Sequence, residues 1–319
     1  MRKELLTIIT MMFLLTVFGN AQENDAMTYR LRAKLPLAVT SKYKFTEIQD
    51  IKRKLKIGRD WEEMSLQRKV SLFYSLRAAD KLANGFTDVK ISVDSIVYEL
   101  TSPDKKVIYN SWDISAFPPI NETDFLRYGF GVEQDYNFLY SPYSEVSKIT
   151  SEHLVKKREL FTGADVAPSK MKDLVKEYLS DRMLVFIFDP MKNILPDYDI
   201  QLEDTWSPTV DIEMGGYWWN FKPEFKISSY DRSGFLLESD IDSVRVDKGP
   251  VYFSDMESWG TISDSHIDGK ISSFLSTQGR QESALLNFDV KLMGEVGGRE
   301  FTQTQNIFYS WELLGTYKF

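Results

Sequence analysis

Two histidines, His153 and His266, are the chain's only imidazoles, and it has no cysteine. A Ser-His-Asp triad would have to use one of these two residues, yet no GxSxG elbow accompanies either. Neither HExxH, GxxxxGK[ST] nor GxGxxG occurs, so a zincin site and nucleotide-phosphate loops lack their motifs. The absence of cysteine removes disulfides, thiol nucleophiles and thiolate metal sites. Each histidine reads as a surface or structural group. No catalytic residue, no metal and no cofactor is expected, and the chain reads as more fitted to binding than to catalysis.

Three stretches still carry residue types that do chemistry. Glu238, Asp240 and Asp242 alternate along one strand face, and paired carboxylates can hydrolyse glycosides. Nothing separates an acid from a base among them, and acids on a wet face are ordinary in an anionic protein. "DSHIDGKISSFL" (Asp264–Leu275) places Asp264, His266, Asp268 and Gly269 at calcium-loop positions 1, 3, 5 and 6. Position 12 is Leu275, where such a loop needs a bidentate Glu, so Asp268-Gly269 reads as a tight hairpin turn. Trp218 lies on the polar parity of its strand, beside Trp219. It is the candidate ligand-binding residue, able to stack on a sugar or line a groove. The competing reading is that both faces of the strand are covered, since a buried Trp gains much from burial.

The chain that must position these groups begins with Met1-Arg2-Lys3, followed by an apolar run from Leu5 to Phe18 and then Gly19-Asn20-Ala21. This is the layout of a secretory signal peptide. The run is 14 residues, short of the roughly 20 that span a membrane. Cleavage after Ala21 is expected. Export without any cysteine points to a bacterial periplasm, with the outer membrane as the alternative. The formal net charge is −8. Loss of Arg2, Lys3 and Glu4 makes it one unit more negative. Nucleic acid wants a basic patch, and the densest Lys/Arg run, "IKRKLK" (Ile51–Lys56), reads as a solvated strand face. No nucleic-acid partner is expected. Aromatic residues are 14%, which suits a globular chain.

Alternation dominates the pattern. In "GYWWNFKPEFKISS" (Gly216–Ser229), Tyr217, Trp219, Phe221, Pro223, Phe225 and Ile227 share one parity, so one face is buried and one wet. Pro223 cannot donate to a ladder, which marks an edge or a bulge. "SYDRSGF" turns, and "LLESDIDSVRV" returns as a hairpin. Earlier, Val70, Leu72, Tyr74 and Leu76 alternate, "ADKLANG" turns, and Val89, Ile91 and Val93 return. Apolar parity flips between Val93 and Ile96, and again between Ile241 and Val244, as a one-residue bulge would make it. Near the end, Ala284 to Leu292 alternate. Ile307, Tyr309, Trp311, Leu313, Tyr317 and Phe319 then share a parity. At roughly 3.3 Å per residue these final strands are unusually long. A last strand of alternating aromatics also resembles that of an outer-membrane barrel.

"APSKMKDLVKEYLSDRM" (Ala167–Met183) spaces Met171, Leu174, Val175 and Leu179 as a helix does. "TSEHLVKKREL" (Thr150–Leu160) suits a second helix or a strand, and "FPPINETDFLRYGFG" (Phe117–Gly131) a loop or cover. "NGFTDVKISVDSIV" (Asn84–Val97) is echoed by "SGFLLESDIDSVRV" (Ser233–Val246), and "KIGRDW" ending at Trp61 by "QLEDTW" ending at Trp206. These ordered echoes argue for a repeat. The expected organisation is a signal peptide over 1–21, a first β unit over 22–160, a helical connection over 161–194 and a second β unit over 195–319.

The order of "KIGRDW", a Gly-Phe hairpin, "SVDSIV", "LPDYDIQLEDTW" and a second hairpin resembles a β-rich family of exported Gram-negative bacterial proteins of unknown function. The second unit departs from that pattern with Glu203 where the first has Gly58. The resemblance brings no catalytic residues. It implies long twisted sheets, distantly similar to the half-barrel of periplasmic lipoprotein carriers, which hold acyl chains on a concave apolar face.

The expected fold is therefore mainly β (α+β), with long twisted antiparallel sheets from two related β units and one or two helices between them. The expected function is non-enzymatic binding of an apolar or amphipathic ligand, or of a protein partner, on a concave sheet face. A lipid-like small molecule or an envelope protein is the partner class, and membrane association is left open. An outer-membrane barrel and a carbohydrate-binding or carbohydrate-acting protein are the alternatives. N-terminal sequencing of protein exported by a Gram-negative host should begin at Gln22; a start at Met1 would overturn the signal-peptide assignment.

Overall fold

The computed structural model describes residues 28–119, 122–129, 134–141, 146–151, 156, 180–189, 194–214, 217–244, 249–253, 256 and 258–318. The signal peptide, His153 and the segment 167–179 of the expected helix lie outside them. Six strands and a short helix come first: β1 (Val39–Ile57), β2 (Asp60–Lys81), β3 (Thr87–Ser102), β4 (Lys105–Asn110), α1 (Thr123–Gly129), β5 (Asp135–Tyr140) and β6 (Val146–Thr150). Helix α2 (Asp181–Phe188) leads to β7 (Thr205–Trp206), β8 (Val210–Met214), β9 (Tyr217–Phe221), β10 (Phe225–Tyr230) and β11 (Gly234–Val244). The chain ends with β12 (Gly249–Phe253), β13 (Ser258–Ser276), β14 (Gln281–Val296) and β15 (Arg299–Lys318).

Thirteen strands form one sheet in the order β6-β5-β3-β2-β1-β15-β14-β13-β11-β10-β7, with β4 also on β3 and β12 also on β13. The fold is mainly β, and every ladder in this sheet is antiparallel. The first and last strands meet in its middle, pairing from Val39↔Lys318 to Leu55↔Phe301. The edges are short, five residues in β6 and two in β7, which limits edge-to-edge association.

Alternation reads correctly along most of the sheet. Val70, Leu72, Tyr74 and Leu76 are buried, as are Ala284, Leu286, Phe288, Val290 and Leu292. Both expected bulges are present. Tyr74 pairs with Val93 but Phe73 with Ser95, skipping Asp94. Ile241 pairs with Gly269 but Val244 with Ile267. Each extra residue switches the inward parity.

Three expectations need correction. The strand expected over Gly216–Ser229 breaks at Lys222–Glu224 into β9, which pairs with β8 in a separate two-stranded sheet, and β10, which joins the large one. Pro223 removes the ladder donor there, although the buried parity runs through the break. Asp268-Gly269 makes no turn: both lie inside β13, opposite Asp289 and Phe288. A Cβ at Gly269 would come within 2.5 Å of Phe288 Cδ1, so the glycine makes room for a ring on the next strand. Within "IKRKLK", Lys52 and Lys54 face solvent, but Arg53 is buried, with its guanidinium 4.4 Å from the Phe253 ring centroid. The two echoed tryptophans also differ, Trp61 being exposed and Trp206 buried.

One face of the sheet is covered by α1, α2 and the β8–β9 pair. All six residues from Met183 to Phe188 are buried, the mark of a helix surrounded by protein. Its N-cap, Ser180, accepts from Met183 N. Phe188 packs edge-on to Tyr74 at 5.0 Å, and Trp311 Nε1 donates to Ile187 O at 2.7 Å. Helix α1 supplies the cover expected from "FPPINETDFLRYGFG": Phe125 sits edge-on to Tyr98 at 5.3 Å.

At the centre of the covered face the strands point charges inward. Arg68 of β2 donates to Glu47 of β1 at 3.1 and 2.6 Å and also to Asp124 of α1. Tyr98 donates to Asp124 at 3.0 Å and Tyr128 donates to Glu47. Arg127 of α1 pairs with Glu213 of β8, whose carbonyl accepts from Tyr309 at 2.7 Å. Burial opposes the Arg68 charge, but Asp124 and Glu47 outweigh it, so the guanidinium is held above its ordinary pKa. Losing one partner leaves the others buried and uncompensated, which costs about 3–5 kcal/mol. Arg68→Leu should lower unfolding stability by about that amount in urea titrations; a loss below about 1 kcal/mol would show that the cluster is solvated.

Candidate functional site

A cleft of about 610 Å³ opens at one end of the β1–β15 seam. Its inner wall is aromatic and apolar: Tyr43 of β1, Tyr74 and Leu76 of β2, Tyr140 of β5 and Phe188 of α2. Tyr43 and Tyr74 stack at 5.6 Å with planes 17° apart. The extended segment Arg32–Leu37 forms the opposite side with the β13–β14 turn, Gln278–Gln281. Lys34 N donates to Gly279 O at 2.7 Å. Gly279 has φ +79°, and a Cβ there would meet Arg32 O at 2.6 Å. Glycine is required on both counts, because the strap passes directly over the turn.

The charged groups of the cleft are mostly cationic. Arg32, Lys34, Lys81 and Arg280 line it, against one carboxylate, Asp189. Asp189 also forms a hydrogen bond with the Tyr140 phenol. Arg280 Nη2 donates to Glu282 at 3.1 Å, while its Nε is buried with no hydrogen-bond partner among the described residues. Tyr43 OH donates to the Gln281 carbonyl at 3.0 Å. Burial pushes the phenols of Tyr43, Tyr74 and Tyr140 above their usual pKa, with nearby Asp189 adding to the shift in each.

Trp218 lines a second, smaller cavity of about 260 Å³ between α2, β8 and β6. The Arg182 guanidinium lies 4.0 Å from its ring centroid, and Phe186 is edge-on at 6.0 Å. Arg182 is itself held by Asp211 through two hydrogen bonds. A guanidinium therefore lies over the indole, for which the sequence left both ligand stacking and coverage by protein open.

The other sequence candidates are separate from both cavities. His266 is on the opposite, solvent-facing side of β13, where its Nε2 meets Asp268 Oδ2 at 2.8 Å. Glu238 pairs with Lys270 at 2.7 Å, and that hydrogen bond holds its carboxyl below the usual range. Asp240 and Asp242 are exposed. Along β13, Asp264, His266 and Asp268 are spread over an extended strand and do not wrap around a point. Sequence reading missed the cleft because its walls come from distant segments. The one local signal was tyrosine at inward positions 43, 74 and 140, where Val or Ile would fill a closed core.

No family model matches the chain, and no curated protein matches its sequence. Among solved structures it is similar to lipovitellin, in a structure concerned with lipid–protein interactions, at 8% identity and a TM-score of 0.45. That match covers 89% of this chain and 26% of the other, so this chain spans about a quarter of lipovitellin's. It is also similar to DynF from the dynemicin biosynthesis pathway of Micromonospora chersina, at 5% identity and TM-score 0.22, over 91% of this chain and 86% of that one. An outer membrane channel from Pseudomonas putida F1 matches at 7% identity and TM-score 0.24, over 92% and 100%. Likeness at these scores goes no further than a β-rich architecture.

The cleft tyrosines generate a pH dependence. Each has a folded pKa above the unfolded value of about 10, so the folded state resists ionisation. Their contribution is fully present below about pH 10 and is lost as pH rises toward the folded pKa. Phenolate absorbance from Tyr43, Tyr74 and Tyr140 should therefore appear together with loss of circular dichroism. Titration of these three near the free-phenol pKa in an intact fold would mean that the cleft wall is solvated.

Proposed function

We propose that this chain is a non-enzymatic binding protein whose larger cleft takes an apolar or amphipathic small molecule. The observation that carries the reading is a cleft of about 610 Å³ with an aromatic inner wall on the covered sheet face. Ligand sites commonly enclose about 300–1,000 Å³, with apolar linings and few polar groups.

A periplasmic location fits this reading better than a barrel in the outer membrane. On β15, Ile307, Tyr309 and Trp311 are buried against the covering elements, while Thr304, Asn306 and Glu312 lie on the opposite parity. A lipid-facing strand needs its apolar parity outward. A carbohydrate-stacking role for Trp218 is less favoured because Arg182 lies over its ring. The protein-partner reading draws on one observation, the exposed apolar side chains Ile108, Trp112, Ile114 and Phe117 along one segment.

The direct test is solvent extraction and native mass spectrometry of the exported protein, followed by titration with the neutral probe N-phenyl-1-naphthylamine. A bound lipid-like molecule, or saturable probe fluorescence, is expected. Thr87→Trp, which narrows the cleft, should weaken probe binding by about tenfold, or 1.4 kcal/mol, with the melting temperature unchanged. Absence of both extractable ligand and probe binding would overturn the proposal.

A further inference from the structure

We propose that the ligand of this cleft has an oxyanion head, a carboxylate or a phosphate monoester, held at the cleft mouth by Arg280 with Lys34 and Lys81; this rests on the ligand-binding reading above. The first argument is charge. The chain has a formal net charge of −8, yet the cleft lining carries Arg32, Lys34, Lys81 and Arg280 against Asp189 alone. A local excess of one sign in a chain of the opposite sign focuses the field on an anion.

The second argument is hydrogen bonding. Buried donors nearly always have partners, and Arg280 Nε has none among the described residues. Gln281 Nε2, the next residue along the lining, is in the same condition. Arg32, Lys34 and Lys81 make no ion pair among the described residues, and Arg280 makes one, through Nη2 to Glu282, that leaves its Nε unpartnered. The one lining acid is already engaged by Tyr140. Donors without acceptors call for a ligand that brings acceptors only, and an ionised carboxylate or phosphate does so.

The third argument is the order of polarity. Lys34 and Lys81 are exposed and Arg280 is half-buried, whereas Tyr74, Leu76, Tyr140 and Phe188 are buried. Cations at the mouth and rings within match an amphiphile whose head stays near water while its tail lies on the sheet.

The test is displacement of N-phenyl-1-naphthylamine from the mature protein by palmitate, hexadecyl phosphate and hexadecanol, which share a chain and differ in the head. At least one anion should displace the probe at about tenfold lower concentration than the alcohol, a preference of about 1.4 kcal/mol. Salt should shrink the gap, since part of it is exposed charge. Stronger displacement by palmitate assigns a carboxylate, and by hexadecyl phosphate a phosphate. Arg280→Gln should bring anion and alcohol toward parity. Lys81→Gln, at an exposed position, should narrow the gap even if the Arg280 variant misfolds. Equal displacement by all three compounds overturns the oxyanion head and leaves ligand binding intact. Failure of the probe to bind at all overturns the underlying reading.

Discussion

The buried ion-pair cluster ties the architecture together. Arg68 faces Glu47 and Asp124, and Arg127 faces Glu213, so two strands of the sheet, one helix and one strand of the small sheet share a single set of charges. Each charge taken out of water costs several kcal/mol unless it meets its partner. The covering elements are therefore constrained in position as well as in hydrophobicity. An apolar patch would tolerate α1 sliding along the sheet, whereas a guanidinium between two carboxylates does not. The inward Gln49, Gln303 and Gln305 extend this polar stripe along the β1–β15 seam, where sequence periodicity alone would expect apolar side chains.

The seam sets the second constraint. Its partners are far apart in the chain: Gln49 donates to Tyr309 across 260 positions. Contacts of such separation fold slowly, because loop closure precedes any gain from pairing. The ladder can be completed only when the last strand is available. The turns that follow β2 and β13 come to the same end of the seam, as does the strap Arg32–Leu37. There they leave space where a closed core would have none. Tyr43 and Tyr140 fit that position because one end of the ring is apolar and the other bonds to the Gln281 carbonyl or to Asp189.

Much of the β architecture was legible because it is local. Alternation at 70–76, 89–93 and 284–292 predicted inward faces that the structure reproduces, and a parity slip at Val93–Ile96 or Ile241–Val244 can arise only from an extra residue. The Asp268-Gly269 pair was misread for an instructive reason. Glycine marks a turn in sequence, but here it marks the place where the Phe288 ring crosses from the neighbouring strand. The break at Pro223 was half-visible: the missing donor was evident, but not that the two pieces would belong to different sheets.

The sequence by itself determined most of the strand content, the inward parity and the lack of catalytic motifs, since each depends on residues close together in the chain. Tertiary structure decided what lies over each face. It placed Arg182 on Trp218, buried Trp206 while leaving Trp61 exposed, and gathered Tyr43, Tyr74, Tyr140 and Arg280 around one cleft. Period-2 alternation says only that a side chain points inward. Whether it meets a helix, a buried charge or an open cleft depends on segments far away in the chain, and those meet only when the long-range ladders and the charge cluster form together.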